Sequence, residues 1–407
     1  MMITCRTPPI AAGIALWSLL ALTGCGESRM PDHTQVPGVV VAHSPASSGV
    51  YLGSPALAVL PGGEYVVSLD YFGPKTEMNT NSIYRSSDQG SSWTKLTEIT
   101  GQFWSSLFVL DSALYVMGTS RRYGSIVIRR SDDGGETWTA PTDASTGLVR
   151  ADSMYHCAAV PVVRLGGRLW RAFERQTGEW PSGFQAFVLS APLGADLLHA
   201  ESWTATNSVS WGGWDPYKGW LEGNVVVTPG GTLVNILRVH DRVRGGKAAI
   251  MSISEDGTSL EFDPARGFID FPGGCKKFTI RPDAASRRYW SLTNWVHPDD
   301  EGGDVERTRN TLTLISSPDL WRWNLRSLLL RSPDSRTTGF QYVDWLIEGE
   351  DLIAVSRTAH DDGLGGAHNS HDANYITFHR IEGFRLREDL EPTVRKPVQS
   401  RDLRPAP

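Results

Sequence analysis

The sequence predicts an all-β protein, a six-bladed β-propeller whose blades are four-stranded and antiparallel. Three observations point there. The chain of 407 residues holds 41 Gly and 15 Trp, a composition that goes with many short strands and tight turns. The pattern Ser-x-Asp-x-Gly-x-x-Trp occurs twice, from Ser86 to Trp93 and from Ser131 to Trp138. Pairs of apolar runs around a Gly turn recur along the chain, at the ~40–50-residue spacing of propeller blades.

The motif is hairpin-turn chemistry. Its Asp can accept backbone N–H groups of its own turn, its Gly supplies a positive φ, and its Trp can pack beneath the hairpin. Weaker copies follow. Ser254-Glu255-Asp256-Gly257 lacks the Trp, and Ser317 to Trp323 lacks the Gly. Ser190-Ala191-Pro192 with Asp196 and Trp203 reads as an expanded copy. The paired runs lie at Pro55–Leu69, Phe108–Met117, Ala158–Phe173, Val225–Val239, Lys277–Trp295 and Val343–Val355. The stretch Gly38–Ala42 is expected to add a strand that closes the ring and removes a sheet edge.

The N-terminus is set apart from the fold. Arg6 precedes an apolar run, Ile10–Leu22, too short for an ordinary spanning helix. It ends in Leu22-Thr23-Gly24-Cys25, which resembles the bacterial lipobox. That resemblance implies a lipidated Cys25 and anchorage at the outer membrane or cell surface. Residues 1–25 then read as signal peptide, 26–37 as linker, 38–387 as propeller and 388–407 as a polar, Pro-rich tail. Net charge is -6, so no basic footprint recommends nucleic acid. Cys157 and Cys275 do not make a disulfide framework, although a single bridge between them is open. The protein is expected to act as a monomer on a carbohydrate.

Polar residues stand where inner strands should begin: Tyr155-His156, Glu222-Gly223-Asn224, Lys276-Lys277 and Tyr342-Val343-Asp344. Such groups need partners or a ligand, and their convergence from several blades suggests a pocket. The alternative is that they bond one another across the channel.

The motif and its spacing resemble the Asp-box, or BNR repeat, of the sialidase superfamily, from Tyr51 to about Arg385. In that family a Tyr is nucleophile, a Glu activates it, an Asp is acid/base, and three Arg hold the sugar carboxylate. Glu222 to Val226, Gly230 to Leu233 and Arg238 resemble its Glu-strand-turn-strand-Arg block. Arg309-Asn310-Thr311-Leu312 resembles the block with another Arg, and Tyr342 to Trp345 the nucleophile block. The resemblance implies Tyr342 and Glu222 as the reacting pair, with Arg238 and Arg309 on the carboxylate. A neutral Tyr, with a pKa of about 10, needs such a base to attack. Guanidinium forks match a carboxylate with two parallel bonds.

Two departures stand out. The family's Arg-Ile-Pro reads Gly53-Ser54-Pro55 here, and the stretch just before the first motif, Glu77-Met78-Asn79-Thr80-Asn81, holds no Asp; Glu77 is the nearest carboxylate and Asp70 the next. His156 is a further acid/base candidate. Lys277, Tyr155, Trp220, Arg357 and His360 complete the expected binding set, with the Trp211–Trp220 loop as a stacking surface. No cofactor is implied. A structural metal in the His360–His371 loop is one reading beside a solvated loop with internal hydrogen bonds. Three functions follow: a sialidase-like exo-glycosidase on an acidic sugar, a uronic-acid polysaccharide lyase with His, Tyr and Arg chemistry, or a glycan-binding surface lipoprotein.

Overall fold

A computed structural model describes residues 30–242 and 244–387. Cys25, the leader and the tail expected at 388–407 lie outside them. The described chain forms six antiparallel sheets. Blade 1 comprises Tyr51–Val59, Tyr65–Phe72, Thr80–Ser86 and Thr94–Thr100. Blade 2 comprises Phe103–Leu110, Ala113–Thr119, Ile126–Ser131 and Leu148–Arg150. In blade 3 the inner position is split between Met154–His156 and Val163–Leu165, followed by Arg168–Gln176, Phe184–Pro192 and Thr204–Ala205. Blade 4 runs Trp220–Val227, Leu233–Val239 and Lys247–Ile253, and Leu260–Glu261 and Phe268–Asp270 share its outer edge. Blade 5 comprises Thr279–Asp283, Arg288–Thr293, Thr311–Ser317 and Asn324–Arg331.

Blade 6 mixes the chain ends. Gly339–Glu348, Asp351–Ala359 and Tyr375–Ile381 are joined by the N-terminal strand Val39–His43, which pairs Val39 with Phe378 and His43 with Tyr375. The ring is thereby closed, and the third strand of blade 6 is not left as an open edge.

Apolar side chains fall into six large clusters, and each lies between neighbouring blades. Tyr65, Val67, Ile353 and Val355 join blades 1 and 6, for example, and Trp170, Val188, Trp220 and Leu237 join blades 3 and 4. The motif turns help seal these gaps. Ser86 Oγ donates to Asp88 Oδ1 (2.8 Å) and accepts from Gly90 N (2.8 Å). Ser131, Asp133 and Gly135 repeat those contacts. Trp93 packs at the blade 1/6 gap and Trp138 at the blade 1/2 gap. Gly90 has φ 89°, and a Cβ there would lie 2.2 Å from a Phe378 ring carbon, so no other residue fits. The Asp256 and Asp319 turns are similar. The copy at Ser190 differs, because Ser190 Oγ accepts from Arg168 instead.

Candidate active site

Four of the six inner strands carry the same local device at one end of the channel. The register admits one extra residue between Gly53 and Ala56, Phe103 and Ser106, Leu221 and Asn224, and Gln341 and Asp344. Each bulge holds a non-glycine residue at positive φ: Ser54 (43°), Trp104 (50°), Glu222 (59°) and Tyr342 (53°). Such bulges re-aim a side chain and cost about 1–3 kcal/mol in backbone strain. All four residues line one cavity of about 730 Å³. The second strand answers each bulge. Opposite the residue just before it stand Asp70, Thr119, Arg238 and Arg357 in turn. Three of these four also line the cavity.

At its centre, Tyr342 O–H donates to Glu222 Oε1 (2.9 Å). Arg238 Nη1 donates to Glu222 Oε2 (3.0 Å) and lies 3.5 Å from the Tyr342 oxygen. Burial pushes the Glu222 pKa up, but Arg238 and His156 outweigh it and hold the carboxylate below its ordinary value. Burial, then Glu222, raises Tyr342. The phenol is therefore protonated and its neighbour ionised, the state in which a base can take the phenolic proton.

Arg309 and Arg357 flank the Tyr342 ring, 5.7 and 4.9 Å from its centroid. Arg309 Nη1 donates to Gln341 Oε1 (2.7 Å), and Arg357 Nη2 donates to His371 O. Their buried Nε groups have no hydrogen-bond partner, and neither guanidinium forms an ion pair with a carboxylate among the described residues. Burial lowers both pKa values, that of Arg357 to about 10. The cavity thus holds two cations without bonded counter-charges.

Asp70 stands on the blade 1 side. It accepts from Asn81 Nδ2 (2.8 Å) and Trp104 N (2.7 Å). Burial outweighs those bonds and raises its pKa to about 7. His156 lines the cavity with Nδ1 2.7 Å from Glu174 Oε2, and Glu174 Oε1 accepts from Gly223 N (3.1 Å). Glu174 therefore ties the imidazole to the bulge that aims Glu222. His240 Nδ1 lies 2.9 Å from Glu306 Oε1 on the same cavity.

Tyr342, Glu222, Asp70, His156, Arg238, Arg309 and Arg357 converge on the cavity. Five expected residues do not. Trp220 is fully buried between blades 3 and 4, with Trp211 and Trp214 packed against it, so that loop fills core. Tyr155 packs on Phe187 and donates to Asp152 (2.6 Å). Lys277 lies beneath the Tyr342–Asp344 segment, where Nζ donates to Val343 O (2.8 Å) and Thr279 Oγ1 (2.7 Å). Glu77 is exposed on the loop beside the cavity-lining Met78. His360 turns to Asp361 O (3.2 Å), away from the cavity. No group of three His, Cys, Asp or Glu suited to a metal occurs among the described residues. The Gly-rich loop is held instead by Asp362, which accepts from Leu364 N and Gly366 N. Cys157 and Cys275 are buried free thiols rather than a bridge.

Sequence reasoning missed Glu174, Glu306, Tyr123 and Trp180. A signal existed for the strand-two residues. Asp70, Arg238 and Arg357 each follow their bulge residue by fifteen or sixteen positions, the length of a hairpin returning to the same level.

No family model and no curated protein matches this chain. Solved structures do. An α-L-arabinanase from Penicillium chrysogenum, complexed with arabinobiose, matches over 86% of this chain and 98% of its own, with 14% identity and a TM-score of 0.54. A Hadza microbial sialidase matches over 85% and 68%, with 15% identity and a TM-score of 0.55. Trypanosoma rangeli sialidase matches over 84% of this chain and 55% of its own, with 15% identity and a TM-score of 0.51. At such identities the likeness is one of fold. By that fold the chain is a sialidase-like six-bladed β-propeller.

Proposed function

We propose that this protein is an exo-acting glycosidase that removes a terminal acidic sugar from a glycan. One observation carries the reading: a protonated Tyr342 bonded to an ionised Glu222, flanked by the guanidinium groups of Arg309 and Arg357, neither bonded to a carboxylate among the described residues. A sugar carboxylate between the two guanidinium forks would supply the bonded counter-charge that they lack. Arg357 supplies from blade 6 the third arginine that Gly53 does not supply from blade 1.

In the reaction, the Tyr342 oxygen attacks the anomeric carbon while its proton passes to Glu222. Asp70, half protonated near neutrality, gives its proton to the departing glycosidic oxygen. Ionised Asp70 then takes a proton from water, whose oxygen displaces Tyr342 from the sugar. Glu222 returns its proton to the phenolate. Lipid on Cys25 would hold this chemistry at a membrane surface. Cys25→Ser protein that still fractionates with membranes at unchanged mass would count against that anchor.

A glycan panel with the chain lacking residues 1–25 tests the main reading. Release of one terminal acidic monosaccharide supports it, and inertness toward every acidic glycan overturns it. A second reading, a uronic-acid lyase, draws on His156, which Glu174 holds at the cavity wall as a base. An unsaturated product absorbing in the ultraviolet would decide for the lyase.

A further inference from the structure

The cavity has two unlike sides. Arg309 and Arg357 face it from blades 5 and 6. Opposite them, Trp104, Tyr123 and Trp180 line the cavity; Trp104 meets Tyr123 (5.4 Å), and the buried Phe184 behind them meets Tyr123 (6.3 Å) and Trp180 (5.4 Å). Trp180, on the turn between the second and third strands of blade 3, ends this wall. It is 51% exposed. Five large hydrophobic residues are exposed among those described, and only Trp180 of them lines the cavity. The indole stands half in water at the cavity rim and half against the rings of Phe184 and His240.

We propose that Trp180 is the platform for the leaving-group side of the substrate, so that the enzyme acts on an oligosaccharide and stacks its second sugar ring on this indole. The inference rests on the exo-glycosidase reading above, because that reading fixes direction. Asp70, the proton donor to the leaving oxygen, is bonded to the backbone N of Trp104, where the aromatic wall begins. The leaving oxygen must come to Asp70. The sugar attached to it then continues along the wall, while the acidic ring stays between Tyr342 and the arginines. Pyranose rings present C–H faces that pack on indole, and T-shaped contacts with Phe184 (5.4 Å) and His240 (5.8 Å) keep the Trp180 ring in place.

The test uses the full chain carrying Tyr342→Phe, with 5-fluorotryptophan incorporated. The Trp180 resonance is assigned by its loss in Trp180→Ala. Lactose in excess, a neutral stand-in for the leaving-group sugars, is expected to shift that resonance. Binding is then compared for matched acidic probes: sialyllactose against methyl sialoside, and a glucuronyl disaccharide against methyl glucuronide. Trp180→Ala should weaken the longer member of a binding pair about tenfold more than the methyl glycoside. Equal losses for both members, or a Trp180 signal that no probe moves, overturn the proposal. If lactose shifts Trp180 while the wild type cleaves no acidic glycan, the platform stands and the glycosidase reading falls.

Discussion

The Tyr342 phenol lies 2.9 Å from Glu222 Oε1, although 120 residues separate them in the chain. Only closure of the ring brings their blades to one cavity, and a bulge in each inner strand turns both side chains into it. The pair is a proton donor held against an ionised acceptor before any ligand arrives.

Removing one oxygen tests that pair. Tyr342→Phe is expected to lower turnover by at least about a thousandfold, while the protein stays folded, because one lost hydrogen bond to a carboxylate is worth about 1.5–3 kcal/mol. Glu222→Gln should also mainly lower kcat. Kinetics beside thermal melts decide the matter, and a Phe variant with near-normal turnover would exclude Tyr342 as nucleophile.

Arg357 should govern recognition of charge. Arg357→Ala is expected to weaken an acidic ligand by roughly a hundredfold, as loss of charge-assisted hydrogen bonds implies. A neutral analogue of the same sugar should lose far less. Arg357→Lys should not restore affinity, because an ammonium cannot fork a carboxylate or stack on Phe72, whose ring centroid lies 4.3 Å from the guanidinium carbon. Calorimetric titration with both ligands checks this.

The pH profile follows from Asp70. Its pKa is raised from 3.8 to about 7, so the proton it donates is present below that pH and lost above it. kcat/KM should therefore fall as pH rises through about 7, and Asp70→Asn should remove this limb along with most activity. Stability has the same sign. The contribution of Asp70 is complete below its ordinary value and is lost as pH rises through about 7, so wild type should lose more stability over that interval than the Asn variant. Melts across pH, wild type against variant, measure this.

Ring closure can be tested at Val39–His43. Deleting residues 30–43 removes the outer strand of blade 6 and exposes the edge of Tyr375–Ile381. The truncated protein is expected to melt at a lower temperature and to aggregate through that edge. Gly90→Ala should cost more than about 2 kcal/mol, since it meets both a positive φ and the Phe378 ring. Urea unfolding of each against wild type gives the values.

The sequence by itself determined the architecture. Gly-turn hairpins, Asp turns at strand ends and paired apolar runs are local features whose chemistry acts within a few residues, and they repeat once per blade. Tyr342, Glu222, Arg238 and Arg309 were legible because each sits in such a local block. What the tertiary structure decided is which side chains face the channel and which face the next blade. Side chains two apart on a regular strand share a face, yet Trp220 is core and Glu222 lines the cavity, because the bulge at Glu222 re-aims its side chain. The same logic buries Lys277 under Val343 and leaves Trp180, on a turn with no motif, as an exposed aromatic at the cavity. Arg357 lies on a second strand, fifteen residues after Tyr342, and it reaches the cavity only because blade 6 closes beside blade 1, where Gly53 and Phe72 flank its guanidinium.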